Sequence, residues 1–396
     1  MTDKKNLMVV VKRMAFTLFI ILIYVMGTYI PLPFAEITSR YEQILHSSSL
    51  SIMGIMSGAS LTRLSIFSLG INPFMIVMLI MQLLMFTKIL GVDALSVEQV
   101  EYLQQFLILT LTVVQAVLFT YSMIPERNLK RDITIVLILT AGSLIVVWFT
   151  FINTKYGIGG GMPIILVNIL ASVVPTIIKT IKDLRSLDNF YWLLFLLFLL
   201  IFGSLYFWVA FIHTYYPLKV INTSLPSYDP EVIFPIGLNM GAMMTYMTGM
   251  ALLMIPTMLQ PYFPPDSFIN RPYFRAIFTA VLTFLLFYFF TFMQFPPKDQ
   301  ARNFRDGHNY IPNVRPGKPT QMYLRKLLLI ITFPGAILTT IQLTLGLFGT
   351  NMLGKYAGLA VIPMNAVMLA MFISGMKDQV MTLLYPYKYD RYMKEI

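Results

Sequence analysis

Eighteen carboxylates, three histidines and no cysteine are the raw material from which this chain could assemble a reactive centre. The histidines, His46, His213 and His308, lie far apart and show no paired spacing, so no metal site is expected. The absence of cysteine excludes disulfides, thiolate metal ligands and cysteine nucleophiles. The acids fall mostly between apolar stretches, and no apolar stretch centres a carboxylate pair that could relay protons. The run Tyr156-Gly157-Ile158-Gly159-Gly160-Gly161 is glycine-rich, but no Lys-Ser/Thr follows, so it is not a phosphate loop. It reads instead as a flexible, close-packed lead into a helix. No catalytic residue, metal or cofactor is therefore expected.

The elements that carry these residues belong in a membrane. The 396 residues are 57% hydrophobic and 12% charged, with a mean hydropathy of +0.72. Soluble domains carry roughly 25% charged residues. Ten stretches are long and apolar enough to cross a bilayer: 14–32, 70–90, 103–124, 132–152, 160–180, 189–212, 234–256, 271–295, 322–348 and 358–378. Lys4, Lys5, Lys12 and Arg13 run directly into the first of these with no cleavage pattern, so that span is expected to be retained. With ten spans both termini share a side. A cytoplasmic N-terminus places 18 of the 29 Lys and Arg inside, seven of them near 297–326. Arg127, Lys130, Arg131, Lys179, Lys182 and Arg185 then face outward against the trend.

Four further features bear on function. Ser47–Phe67, rich in small residues and interrupted by Gly54, Gly58 and Arg63, reads either as a half-helix re-entering the membrane or as an amphipathic surface helix. The spans hold small polar groups rather than charge, chiefly Gln82, Gln115, Asn168, Asn239 and Asn365, each suited to an interhelical hydrogen bond. Methionine occurs 28 times; clustered at a constriction, its flexible side chain would make a compliant gasket. Finally, the segment 296–319 combines Lys, Arg, Gly and Pro, with a turn expected at Asn309-Tyr310-Ile311-Pro312, and reads as a basic docking surface.

That segment, PPKDQARNFRDGHNYIPNVRPGKPTQMYL, resembles the connection between the eighth and ninth helices of the SecY family of protein translocases. The likeness extends through FTLFIILIYVMGTYIPLP (16–33), SGASLTRLSIFSLGINPFMIVMLIMQLL (57–84) and KYGIGGGMPIILVNIL (155–170). It implies an all-α integral membrane protein of ten transmembrane helices in two pseudo-symmetric five-helix halves, 1–182 and 183–396, with the cytoplasmic loop 296–321 in the second. It also implies a re-entrant plug within 47–67, including Ile52, Met53, Gly54, Ile55, Met56 and Gly58. By position, the pore ring falls on Met75, Leu79, Met162, Leu166, Met244 and Met368, where the family mostly has isoleucine. Polar lateral-gate positions fall on Gln82, Gln115 and Asn239, and motor-ATPase contacts on Arg305, Arg315 and Lys318.

The connection between the sixth and seventh spans, HTYYPLKVINTSLPSYDPEV, is much shorter than the family's basic hairpin. With the abundant methionine, this resembles the accessory SecY of Gram-positive bacteria, which exports serine-rich glycosylated adhesins. The resemblance implies SecE-like and SecG-like small subunits, an accessory SecA-type motor ATPase, other accessory Sec proteins and unfolded polypeptide in the cell membrane, with the ribosome contact in doubt. A general secretory and insertion channel is the alternative within the family. A small-solute secondary transporter is the alternative outside it, disfavoured by the scarcity of intramembrane charge.

Overall fold

The computed structural model describes residues 4–33, 65–87, 89–123, 128–185, 189–223, 231–259, 272–353 and 358–385. The proposed plug residues Ile52, Met53, Gly54, Ile55, Met56 and Gly58 lie outside them. In chain order the helices are α1 (Lys4–Thr28), α2 (Asn72–Thr87), α3 (Val97–Met123), α4 (Leu129–Tyr156), α5 (Met162–Leu184) and α6 (Phe190–Ile212). Strands β1 (Tyr215–Asn222) and β2 (Glu231–Gly237) precede α7 (Ala242–Leu259) and α8 (Pro272–Gln294). Helix α9 (Pro297–Asp306), strand β3 (Asn309–Tyr310), α10 (Lys318–Leu353) and α11 (Gly358–Leu384) complete the order.

Each of the ten expected spans coincides with a helix. Among the described residues eight are long and apolar enough to cross a membrane; α2 and α7 are shorter, at 16 and 18 residues. Helix α6 shows why hydropathy located them so well: of its 23 residues only Leu197 and Trp208 are buried, so nearly its whole apolar surface calls for lipid. One boundary is corrected. The expected span 234–256 begins inside β2, and its helix starts only at Ala242. Val232, Ile233, Phe234 and Ile236 are apolar but β-prone, and Pro235 sits in an edge strand, where its missing N–H does no harm.

The chain divides into two compact units. The first comprises Met1–Asp188, Met250–Thr257 and Leu369–Ile396; the second comprises Asn189–Gly249 and Met258–Met368.

In the first unit, the turn at residues 65–71 is held against α1 and α4. Ile66 N–H donates to the Ile30 carbonyl, and Ser65 bridges to Pro31. The Ser68 hydroxyl donates to the Ser65 carbonyl (2.7 Å) and accepts from the Ser65 N–H (2.8 Å), which satisfies backbone groups otherwise buried without water. Phe67 stacks on Tyr24 of α1 (5.8 Å) and meets Phe149 of α4 edge-on. Gly27 and Gly142 supply the space: a Cβ at Gly142 would collide with the Ile66 carbonyl oxygen, and one at Gly27 with the Phe67 ring. Ser143 of α4 closes the contact by donating to the Gly70 carbonyl (3.0 Å). The last residues of the segment read as a plug are thus core: Ser65 is fully buried and Phe67 is 4% exposed.

The second unit holds two layers. Its membrane part rests on close approach of α8 and α10, where Gly335 of α10 lies against the Phe287 ring and the Leu238 carbonyl. Gly241, at the start of α7, lies against the Phe287 carbonyl and Thr291 of α8. Outside the spans stands a small α/β module that the all-α expectation did not contain. The strands order as β2-β1-β3, antiparallel throughout. One face of the sheet shares a core with α9 and the foot of α10, built from Leu218, Val220, Ile236, Phe295, Phe304 and Leu324.

Candidate functional site

The residues assigned to the pore ring sit in three settings. Met75 and Leu79 lie one turn apart on α2, and Met162 and Leu166 one turn apart on α5, so each pair shares a helix face. All four are half-buried, as is Met244 on α7. Met368 differs: its side chain is completely buried, with no open face in this conformation.

The presentation of Met162 can be traced atom by atom. It is the first residue of α5, directly after the glycine run, with Pro163 pre-set for the first turn. Gly159 (φ +81°) and Gly160 (φ +53°) turn the chain in the left-handed region, which side-chain-bearing residues disfavour. Asn153, at the end of α4 and 1% exposed, donates from Nδ2 to the carbonyls of Ile158 (2.9 Å) and Gly160 (2.7 Å). The Thr17 hydroxyl of α1 lies 2.9 Å from Asn153 Oδ1 and accepts from the Ile158 N–H (2.9 Å). Gln379 of α11 accepts from the Gly159 N–H at 2.6 Å. A stretch expected to be flexible is therefore pinned by three helices, and the expectation of close packing holds.

The polar groups of the spans fall into two kinds. Asn168, one of the small polar groups, makes an interhelical bond, accepting from the Tyr24 hydroxyl at 2.8 Å. Gln82 Oε1, Gln115 Oε1 and Asn239 Oδ1 are buried atoms without a partner among the described residues. At these three oxygens no interhelical bond is made among the described residues. Amide groups left so are inexpensive to expose, because water or a passing chain would satisfy them.

The docking residues belong to the α/β module. Arg305, Arg315 and Lys318 are all exposed. Two details of the segment differ from expectation. Asn309–Tyr310 is a strand that pairs with β1 rather than a turn, and the reversal comes afterwards at Asn313 (φ +62°). Lys318 is the first residue of α10 rather than part of a loop. Sequence reading also missed α9. It buries Ala301 and Phe304 and exposes Lys298, Arg302 and Arg305, which recur at i, i+4 and i+7 as a stripe flanking the buried face. A helical period over 297–306, begun by Pro297, was the available signal. Arg305 pairs with its exposed neighbour Asp306 (3.0 Å), a contact worth little in water.

Because β3 pairs with β1, the segments that follow α6 and α8 must emerge on the same side of the membrane. No group of three or more metal-ligating side chains occurs among the described residues.

Helices that cross a bilayer repeatedly, small amides in place of charges, and a basic module joined to one end define a multi-pass membrane protein of the transport kind. The chain belongs to the SecY family, whose family model matches residues 65–372. It is 51% identical to the accessory Sec system protein translocase subunit SecY2 of Lactobacillus johnsonii, over 99% of this chain and 100% of that one. The protein of the same description from Streptococcus salivarius is 26% identical over 96% of this chain and 97% of its own. Among solved structures, one titled as a protein conducting channel superposes with a TM-score of 0.65 at 15% identity, covering 96% of this chain and 94% of that one. The canine Sec61 channel in its ribosome complex gives a TM-score of 0.59 at 14% identity, over 96% and 94%. These two establish likeness of fold.

Proposed function

We propose that this chain is the protein-conducting subunit of an accessory Sec translocase, passing unfolded polypeptide across the cell membrane without performing chemistry itself. The observation that carries this reading is the 51% identity, maintained over the whole length, to an accessory Sec translocase subunit. Spans lined with amides and methionine support it, since a pathway for varied side chains must bind none of them tightly. Met75, Leu79, Met162, Leu166, Met244 and Met368 form the constriction in this reading, and the plug within 47–67 stops it at rest. Both termini and the α/β module face the cytoplasm. SecE-like and SecG-like subunits complete the channel, an accessory SecA-type ATPase drives it, and serine-rich glycosylated adhesins are the cargo.

Site-specific photocrosslinking from Met75 or Met244 to a stalled, partly exported chain tests the pathway. Crosslinks to the chain are the expected result; crosslinks only to neighbouring helices would defeat it. Deletion of the gene tests the subtype: loss of one surface glycoprotein is expected, whereas loss of viability would point to general secretion.

The motor-docking surface carries its own prediction. Replacing Lys298, Arg302 and Arg305 together by Glu inverts the exposed stripe of α9. Motor-driven export in reconstituted vesicles is expected to fall about tenfold, and to lose its sensitivity to salt, as for steered association. Export at the unaltered rate would place docking elsewhere.

A further inference from the structure

We propose that Gln379 of α11 is a positioning residue for the channel's resting seal, acting with Asn153 and Thr17 to hold Met162 in the constriction. The proposal rests on the assignment of Met162 to the pore ring.

Three observations converge on α11, and a fourth concerns the turn beneath it. Gln379 Oε1 receives the Gly159 N–H at 2.6 Å across 220 residues of chain. One turn earlier on the same helix face, Gly375 lies beside the Met162 side chain: a Cβ there would stand in ordinary van der Waals contact, 3.5 Å from its sulfur and 3.7 Å from its terminal methyl. Met376 lies against Gly159 as well, 3.0 Å from where a Cβ would be. Beneath the turn, Asn153 and Thr17 bind the backbone of Ile158 and Gly160, so these buried backbone groups are paired in the resting turn. One face of α11 therefore supplies both the acceptor that fixes the turn and the surface beside which the ring side chain lies.

The glycine run is poised for this purpose. Left-handed conformations at Gly159 and Gly160 are accessible but not compulsory for glycine, so the turn stays in place only while its bonds hold it. The Gln379 side chain is half-buried and makes one bond among the described residues, which makes it the most easily released of the three. Displacement of the Gly159 N–H from Gln379 frees the start of α5 and lets Met162 swing away from α11. The seal is then relaxed at a point on the turn, apart from the ring residues themselves.

The chain's lack of cysteine makes a clean test available. Met162→Cys is placed in the full channel complex in membrane vesicles, and its labelling by a membrane-impermeant maleimide is timed alongside ion leak. Gln379→Leu, which keeps volume and removes the acceptor, is expected to raise both about tenfold, the size of one released hydrogen bond. Gln379→Glu, which restores a carboxylate acceptor for the Gly159 N–H, is expected to return both to within about twofold of the Gln379 channel. Equal effects of Leu and Glu, or no effect of Leu, would overturn the positioning role while leaving the ring assignment intact. Failure of the thiol introduced by Met162→Cys to label in any variant, even with a polypeptide stalled in the channel, would remove the ring assignment and this proposal with it.

Discussion

Gly142→Ala is expected to lower the melting temperature of the detergent-solubilised protein by several degrees, because the added methyl cannot be accommodated by any side-chain movement. The Cβ would overlap the Ile66 carbonyl oxygen, and the carbonyl carbon stands 2.9 Å away. Backbone atoms cannot rotate aside, so the turn at 65–71 must shift as a body. That shift would disturb the Tyr24–Phe67 stack and the bond from Ser143 to Gly70. Overpacking of this kind costs about 1–3 kcal/mol, and the upper end is expected here. Gly203→Ala on α6 is the matched control. Nothing lies within 4 Å of a Cβ there, and alanine gains about 1 kcal/mol of helix propensity over glycine. Equal melting temperatures for the two variants would mean that the turn does not rest on α4.

The second large effect concerns Phe304→Ala. Phe304 is 5% exposed and meets Phe234 of β2 edge-on at 5.1 Å. It is the main contact of α9 with the sheet, since α9 otherwise buries only Ala301. Truncation of a buried Phe costs about 3–5 kcal/mol, a large share of what a module this small can hold. The expected result is normal membrane insertion with a loosened module. In inverted vesicles, trypsin should then cut rapidly after Arg302 and Arg305, and motor-driven export should be lost. A cleavage pattern like that of the unaltered protein would show that the sheet and α9 are held by something other than this core.

What could be read from sequence follows the range of the interaction concerned. Bilayer crossing is a local property, averaged over some twenty neighbours, and the helices stand where hydropathy places them. The misreading at 234–256 arose from the same averaging, which cannot tell an apolar strand from an apolar helix end. The pairing of Ile221 with Tyr310, and hence the α/β module, depends on residues far apart in the chain that carry no local mark. The same holds for Gln379 and Gly159. Asn153 is plainer in hindsight, since a helix-ending amide just before a glycine run is the kind of side chain that can bind the freed backbone. Ring positions came from family resemblance, and their spacing on α2 and α5 agrees with a shared face, whereas Met368 is sealed. Hydropathy had no means of choosing among the 28 methionines.

The sheet gives the seventh span a fixed foot. β2 ends at Gly237, α7 begins at Ala242, and between them Met240 is held by the same core as Phe292 and Phe295 at the end of α8. Gly241 brings that foot against the backbone of α8. A helix clamped at one end and free to tilt moves as a lever with its fulcrum at the clamp. Helix α7 is about 27 Å long at 1.5 Å per residue, so a tilt of about 10° at Gly241 carries its far tip through about 5 Å. A displacement that pivoted α7 at this foot would be largest at its far end.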